Sequence, residues 1–175
     1  MNAIYLIGYR CTGKSTIGKL VAGLMARDFI DTDRILEEQF QTTIEETVNR
    51  NGWDYFRQKE KQALFATTRY SNPVVATGGG IVMDPENRNF IQSNGVCVWL
   101  YADSTTIVQR ILSDSKNQGS RPNLTSHSLT QETLNMLELR NPLYEKLGLI
   151  KIDTSSHSLK QAAEIIKRRF SHVRQ

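Results

Sequence analysis

The stretch AIYLIGYRCTGKST, residues 3–16, decides the fold class of this chain. Its apolar run is typical of a buried strand, and the amphipathic pattern IGKLVAGLMARDF follows it. Between the two, Gly8, Gly13, Lys14 and Ser15 satisfy the pattern G-x-x-x-x-G-K-[ST]. Such a turn brings backbone N–H groups and the positive end of a helix dipole to one point, as a phosphate chain requires. We therefore expect it to bind the phosphates of a nucleoside triphosphate.

Each residue type in this turn has a chemical reason to contact a nucleotide. Lys14 would neutralise charge on the β and γ phosphates, and the Ser15 hydroxyl would ligate Mg²⁺. Cys11 stands where many such loops have a small residue, and a side chain there carries a steric cost in the left-handed conformation. Its thiol could be reactive beside Lys14 or serve as an inert filler. The residues expected at the nucleotide are Gly8, Arg10, Cys11, Thr12, Gly13, Lys14, Ser15 and Thr16.

Short apolar runs alternate with helical patterns along the whole chain. Near-continuous apolar runs are typical of a parallel sheet that helices cover on both faces. We therefore predict a doubly wound α/β fold. The runs read as strands are AIYLI, FID, VVATG, VCVWLYA and LIKID.

Length and composition limit the remaining options. A chain of 175 residues with 39% apolar residues suits one domain over residues 1–175. The net charge is +4, but the 22 basic and 18 acidic residues are interspersed, which argues against a nucleic-acid surface. Two cysteines are too few for a disulfide framework, and no apolar run is long enough to span a bilayer. We expect a soluble, cytoplasmic monomer without a membrane or nucleic-acid partner.

Two stretches depart from the simple alternation. Residues 33–70 read as a mostly helical insertion, too long for a plain crossover. Residues 113–127 are polar, rich in Ser, Asn, Gly and Pro, and contain Arg121. Long irregular segments in compact domains are usually functional loops or disordered, so this stretch is read either as a lid over the ligand or as a floppy loop.

FIDTDR carries two carboxylates near the end of a predicted strand. Strand alternation would direct Asp31 and Asp33 to the same side, where they could serve a hydrated Mg²⁺ and an acceptor hydroxyl. The alternative is that Asp33 only caps the helix DRILEEQF.

A second glycine-rich turn, VVATGGGIV, follows the third predicted strand. Gly78, Gly79 and Gly80 would leave bare backbone at the ligand-binding edge of an open α/β sheet. Arg57 precedes Glu60 by three residues on a predicted helix. It could reach the same region, or it could be a surface partner of Glu60.

Taken in order, the segments GYRCTGKST, FIDTD, FRQKE, ATGGG, SRPNL and LRNPLY resemble the shikimate kinases over nearly the whole chain. The resemblance implies a three-layer P-loop kinase fold. That fold has a mostly five-stranded parallel sheet, a helical substrate-binding insertion and a lid loop. It also implies ATP-dependent phosphorylation of the 3-hydroxyl of shikimate in aromatic amino acid biosynthesis, with ATP and Mg²⁺ as cofactors.

The resemblance also assigns roles to individual residues. The catalytic residues would be Lys14, Asp33 and Arg121. The nucleotide would be bound by the first turn together with Arg110 and Arg121. Shikimate would be bound by Asp33, Arg57, Gly78, Gly79, Gly80 and Arg140, and Mg²⁺ would be held near Ser15 and Asp31.

Alternatives remain for the segment LRNPLY and for the acceptor. Pro142 is expected to end or kink the preceding helix, so Arg140 could merely complement the dipole in its last turn. Fold alone does not fix the substrate, so a kinase of another carboxylated polyol such as gluconate is a rival. A regulatory module that only binds nucleotide is a second rival.

Overall fold

The computed structural model describes residues 3–113 and 128–171. Its sheet has five strands, which in chain order are β1 (Ala3–Ile7), β2 (Phe29–Asp31), β3 (Val74–Ala76), β4 (Gly95–Tyr101) and β5 (Ile150–Asp153). In space the order is β2-β3-β1-β4-β5, and every neighbouring pair is parallel. The predicted five-stranded parallel sheet is confirmed.

Seven α-helices occur in the described part of the chain. They are α1 (Lys14–Met25), α2 (Thr32–Phe40), α3 (Ile44–Ala66), α4 (Pro85–Asn94), α5 (Ser104–Ser113), α6 (Leu129–Leu147) and α7 (Leu159–Ser171). Short 3-10 turns follow α3 and precede α4, at Thr67–Arg69 and Ile81–Met83. None of the helices in these described ranges is long and apolar enough to cross a membrane.

Helices cover both faces of the sheet, as predicted. On β1, Ile4 and Leu6 face one apolar cluster and Tyr5 and Ile7 face the other, because successive strand side chains point to opposite faces. The first cluster includes residues of α1 and α7, and the second includes residues of α3, α4 and α6. Burial of both faces explains why the central strands β1 and β3 are apolar throughout.

The insertion between β2 and β3 is helical and has its own small core. Leu36 on α2 packs with Ile44, Val48 and Phe56 on α3. The backbone of α3 is interrupted at Gly52, whose φ of 84° is a left-handed value that suits glycine. The insertion thus forms a separate wall beside the sheet.

Pro142 was predicted to end or kink α6, and it does not end the helix. The helix runs from Leu129 to Leu147 with Pro142 inside it. On either side of the proline, Leu137 and Tyr144 are buried in apolar clusters. Tertiary packing therefore holds the helix together across the missing hydrogen-bond donor.

The sheet brings three turns to one edge. Leu6 and Asp31 are both in register with Ala76, so β1, β2 and β3 end side by side. The segments that follow these strands carry the first glycine turn, the two aspartates and the triple glycine. In open α/β sheets this carboxyl edge is where ligands bind.

Candidate active site

The first glycine turn has the backbone of a phosphate cradle. Gly8 and Gly13 have φ values of 141° and 88°, and Cys11 has a φ of 61°. A Cβ at Gly8 would lie 2.2 Å from the carbonyl oxygen of Leu100. Gly8 is therefore required both for its conformation and for lack of space, and Cys11 bears the steric cost expected from the sequence.

Lys14 lies inside this turn at the start of α1. Its side chain is buried, and Nζ donates to the carbonyl oxygens of Gly8 at 2.8 Å and Tyr9 at 2.7 Å. The ammonium group is thus held at the centre of the loop. A cation there faces the position where the N–H groups of a phosphate loop converge.

A cleft opens over the turn and collects most of the predicted nucleotide residues. It is lined by Arg10, Cys11, Gly13, Lys14, Ser15, Thr16, Asp31, Asp33, Thr77, Arg110, Ser113 and Leu159. Gly8 and Thr12 are not among these residues. Thr12 instead closes the loop from within, because its buried hydroxyl donates to the carbonyl oxygen of Tyr9 at 2.8 Å. We call this space the nucleotide cleft.

The Ser15 hydroxyl and the Asp31 carboxylate meet at one side of the nucleotide cleft. The Ser15 hydroxyl donates to Oδ2 of Asp31 at 2.5 Å. Oδ1 of Asp31 accepts from the backbone N–H groups of Asp33 at 3.2 Å and Arg34 at 3.4 Å. Asp31 is therefore both the N-cap of α2 and a partner of Ser15.

The alternative in which Asp33 caps the helix was wrong. The strand β2 ends at Asp31 and α2 begins at Thr32, so Asp33 lies in the first turn of the helix. Because Asp33 lies in a helix, the alternation of side chains along a strand does not place the two aspartates on the same side. Both nevertheless line the nucleotide cleft.

Arg110 closes the opposite side of the nucleotide cleft. Its Nη1 donates to the carbonyl oxygen of Cys11 and to the Thr154 hydroxyl, each at 3.1 Å, and its Nη2 donates to the carbonyl oxygen of Thr154 at 2.6 Å. The arginine thus links α5 to the phosphate turn and to the loop after β5. It lines the cleft, and its role at the nucleotide stays a prediction.

A second pocket lies beside the nucleotide cleft, between the sheet edge and the insertion. Its lining combines basic, acidic, aromatic and glycine residues: Tyr9, Arg10, Asp33, Ile44, Trp53, Phe56, Arg57, Glu60, Gly78, Gly79, Gly80 and Arg140. Every residue predicted to bind shikimate is among them. We call this space the acceptor pocket.

Arg57 is held in place on one wall of the acceptor pocket. Its Nη1 pairs with Oε2 of the buried Glu60 at 2.5 Å, and its guanidinium lies 5.1 Å from the ring centre of Trp53. A Cβ at Gly80 would come within 2.4 Å of the guanidinium nitrogens. A Cβ at Gly78 would come within 2.2 Å of Glu60. These glycines are needed because Arg57 and Glu60 occupy the adjacent space.

Arg140 also lines the acceptor pocket, and it lies near the middle of α6. It is 7% exposed, and its guanidinium lies 5.7 Å from the ring centre of Tyr9. Its Nε is buried without a hydrogen-bond partner among the described residues. A buried cation in mid-helix does not compensate a helix terminus, so the dipole interpretation was wrong. The arrangement favours an anionic ligand.

Tyr144 supports the glycine wall from behind. Its hydroxyl donates to the carbonyl oxygen of Gly79, and complete burial raises the pKa of this phenol well above its usual range. Burial also raises the pKa of Tyr9, although Arg10 and Arg140 act in the opposite direction. Both phenols therefore stay neutral hydrogen-bond donors at ordinary pH.

The model of the shikimate kinase family matches residues 10–170. Shikimate kinase 2 of Shigella dysenteriae serotype 1 is 40% identical over 162 residues, which cover 93% of this chain and 92% of that protein. The chain belongs to the shikimate kinase family. The resemblance drawn from its motifs is thereby confirmed, together with the predicted enzyme class.

Further members of the shikimate kinase family agree. Shikimate kinase of Syntrophus aciditrophicus is 37% identical over 179 residues and covers 98% of this chain and 92% of its own. The structure of shikimate kinase from Acinetobacter baumannii in complex with shikimate superposes with a TM-score of 0.90 at 30% identity. It covers 99% of this chain and 95% of that one. Membership confirms the predicted function at the level of the family, phosphorylation of shikimate with ATP as the donor.

Some predictions about the site are not tested by these observations. The predicted lid spans residues 113–127 and contains Arg121. All of it except Ser113 lies outside the described residues. The individual roles assigned to the predicted site residues stay predictions.

Sequence reasoning missed several residues of the shikimate kinase site. Trp53 and Phe56 line the acceptor pocket beside Arg57, and their i, i+3 spacing on one helix could have indicated a shared face. Tyr9 and Tyr144 could have been found from their motifs, GYRCTGKST and LRNPLY. Glu132, which pairs with Arg10, gave no local signal.

Proposed function

We propose that this protein transfers the γ-phosphoryl group of ATP to the 3-hydroxyl of shikimate, with ADP as the second product. The observation that carries the proposal is the contact between the two spaces. The acceptor pocket and the nucleotide cleft share Arg10 and Asp33 in their linings. A phosphoryl group can pass directly from one to the other at that boundary.

Two arginines that line the acceptor pocket would bind the carboxylate of shikimate. Arg57 is fixed by Glu60 and by the Trp53 ring, and Arg140 is buried against the Tyr9 ring. A planar carboxylate is well matched by guanidinium groups, which donate paired hydrogen bonds. The aromatic side chains and the glycine backbone would contact the ring of the acceptor.

Asp33 would hold the reacting hydroxyl at the boundary of the two spaces. In the transfer, a bond forms between the acceptor oxygen and the γ-phosphorus while the bond to the bridging oxygen of ADP breaks. The proton of the hydroxyl passes to the Asp33 carboxylate. Phosphoryl transfer depends mainly on positioning and charge stabilisation, so a weak base suffices.

Lys14 would supply positive charge to the phosphates during this transfer. It is held by backbone carbonyl groups of the same turn, so it needs little reorganisation when a nucleotide enters. Arg110 would border the base side of the nucleotide. Arg121 is proposed as a further cation at the transferring group, on the strength of the resemblance alone.

The residues beside the phosphate turn fit Mg²⁺. Ser15 and Asp31 offer hard oxygen donors, and Mg²⁺ is usually held by one or two such protein ligands together with phosphate oxygens and water. When bound, Mg²⁺ would neutralise charge on the β and γ phosphates.

We also propose that the protein acts as a monomer in the cytoplasm.

The test is ADP release from MgATP by the purified protein in a coupled spectrophotometric assay. Shikimate should stimulate release strongly, and quinate and gluconate should not. Equal stimulation by gluconate would favour a kinase of another carboxylated polyol. Nucleotide binding without stimulation by any acceptor would overturn the proposal and favour the regulatory module.

A further inference from the structure

A buried ion pair links the phosphate turn to the first turn of α6. Nη2 of Arg10 lies 3.3 Å from Oε1 of Glu132. The Glu132 side chain is fully buried, and the Arg10 side chain is 18% exposed. Within the described residues Glu132 makes no other ion pair, and its Oε2 has no hydrogen-bond partner.

A carboxylate in this environment is costly to maintain. Removing a charge from water is repaid only when its remaining hydrogen-bonding capacity is satisfied, which is not so at Oε2. An apolar side chain would fill this position in α6 more cheaply. The described hydrogen-bond and ion-pair partner of Glu132 is Arg10.

Arg10, the partner of Glu132, lies at the boundary between the acceptor pocket and the nucleotide cleft. Arg10 and Asp33 are the two residues that line both the acceptor pocket and the nucleotide cleft among the described residues. The transferring phosphoryl group must cross this boundary. Arg10 still has capacity there, because a guanidinium carries five N–H donors and its ion pair with Glu132 engages Nη2.

We infer that Arg10 binds the transferring phosphoryl group and that Glu132 is its positioning residue. In the transition state negative charge lies on the equatorial phosphoryl oxygens, where a fixed guanidinium stabilises it. Glu132 holds one edge of the guanidinium so that the rest faces the boundary. The inference rests on the proposed function, since it assigns residues to that reaction.

The test is a double-mutant cycle with Arg10→Met and Glu132→Gln. We expect Arg10→Met to lower kcat by on the order of a hundredfold, as for loss of one charge-stabilising donor. Glu132→Gln should lower kcat by roughly tenfold while the KM values for shikimate and ATP change less than about threefold. In the Arg10→Met background, Glu132→Gln should have no further effect, since coupled residues are not additive.

Two controls separate positioning from general stability. Glu138→Gln removes an exposed carboxylate of the same helix and should leave kcat unchanged. If Glu132→Gln does not fold, Arg10→Lys carries the test, because it keeps the charge opposite Glu132 but loses the planar donor group. A lowered kcat at unchanged shikimate KM then supports the inference.

An unchanged kcat in Glu132→Gln would overturn the inference. So would a loss of kcat on Glu132→Gln that is equally large in the wild-type and the Arg10→Met backgrounds. If Glu132→Gln fails to fold, full kcat in Arg10→Lys would overturn it. Failure of the proposed function is distinguishable from all of these. In that case the wild-type protein itself would release no ADP in response to shikimate.

Discussion

The two glycine-rich turns lie side by side at the ends of β1 and β3, yet they need glycine for different reasons. In the phosphate turn, Gly8 and Gly13 have left-handed φ values that the backbone path requires. In the triple glycine the described φ values are not left-handed; Gly78 and Gly80 instead make room for Glu60 and Arg57. The first turn thus needs glycine for its backbone conformation and, at Gly8, also for space beside Leu100, whereas the second needs glycine only to admit side chains of α3.

This difference divides the site by function. The phosphate turn holds Lys14 by its own carbonyl groups, whereas the triple glycine is a surface against which the insertion places Arg57. We therefore expect changes in the first turn to affect transfer, and changes in the second to affect recognition of the acceptor.

Lys14→Ala should remove the central cation of the phosphate turn. We expect kcat to fall on the order of a hundred- to a thousandfold, because a preorganised positive charge at the phosphates is lost. The affinity for shikimate, measured by titration calorimetry, should stay close to that of the wild type. Full activity in Lys14→Ala would remove this turn from the reaction.

Gly80→Ala should act on the acceptor side. A Cβ at this position meets the Arg57 guanidinium at 2.4 Å, so the arginine must move. Loss of a charge-assisted hydrogen bond corresponds to roughly a ten- to hundredfold higher KM for shikimate, with the KM for ATP unchanged.

Gly23→Ala is the control for that prediction. Gly23 lies on α1 outside the acceptor pocket, and a Cβ there would have no described neighbour within 4 Å. Its kinetic constants should resemble those of the wild type. Equal defects in the two variants would show that displacement of Arg57 is not the cause.

The two thiols should differ in reactivity because they differ in burial. Cys97 is buried on β4, and burial raises the pKa of its thiol well above the usual range, whereas Cys11 is half-buried in the phosphate turn. Iodoacetamide should therefore modify Cys11 alone and inactivate the enzyme, and MgATP should protect it. Peptide mass spectrometry locates the label, and Cys11→Ser should be insensitive. Modification without loss of activity would return Cys11 to the role of a filler.

Asp103 provides the smallest expected effect, on stability only. It follows β4 at the same edge of the sheet but caps α5, where the backbone N–H and the hydroxyl of Thr106 donate to it and lower its pKa to about 2. Because the folded pKa lies below the unfolded value of 3.8, the stabilisation is present above that value and is lost as the pH falls toward 2.

The measurement is urea denaturation of the wild type and Asp103→Asn between these two pH values. The wild type should lose more stability than the variant over this range. The kcat of Asp103→Asn should stay within about twofold of the wild type, as for a change outside the site. A large loss of activity would show that this carboxylate serves the nucleotide.

The sequence predicted those features that depend on neighbouring residues. The strands β1 and β2 coincide with the apolar runs AIYLI and FID, and the phosphate turn has the geometry that its glycines imply. Features decided by distant contacts were not predictable in this way. Packing of Leu137 and Tyr144 carries α6 through Pro142, and the buried Glu132 is recognisable only by its contact with Arg10.

The most direct test of the account is the binding of shikimate and of ATP to Arg140→Met, measured by titration calorimetry beside the wild type. The account predicts that shikimate binds roughly ten- to a hundredfold more weakly to the variant, because one of two guanidinium partners of its carboxylate is missing. ATP affinity should be unchanged, since Arg140 does not line the nucleotide cleft. Unchanged shikimate affinity, or an equal loss for both ligands, would contradict the division of the site into an acceptor pocket and a nucleotide cleft.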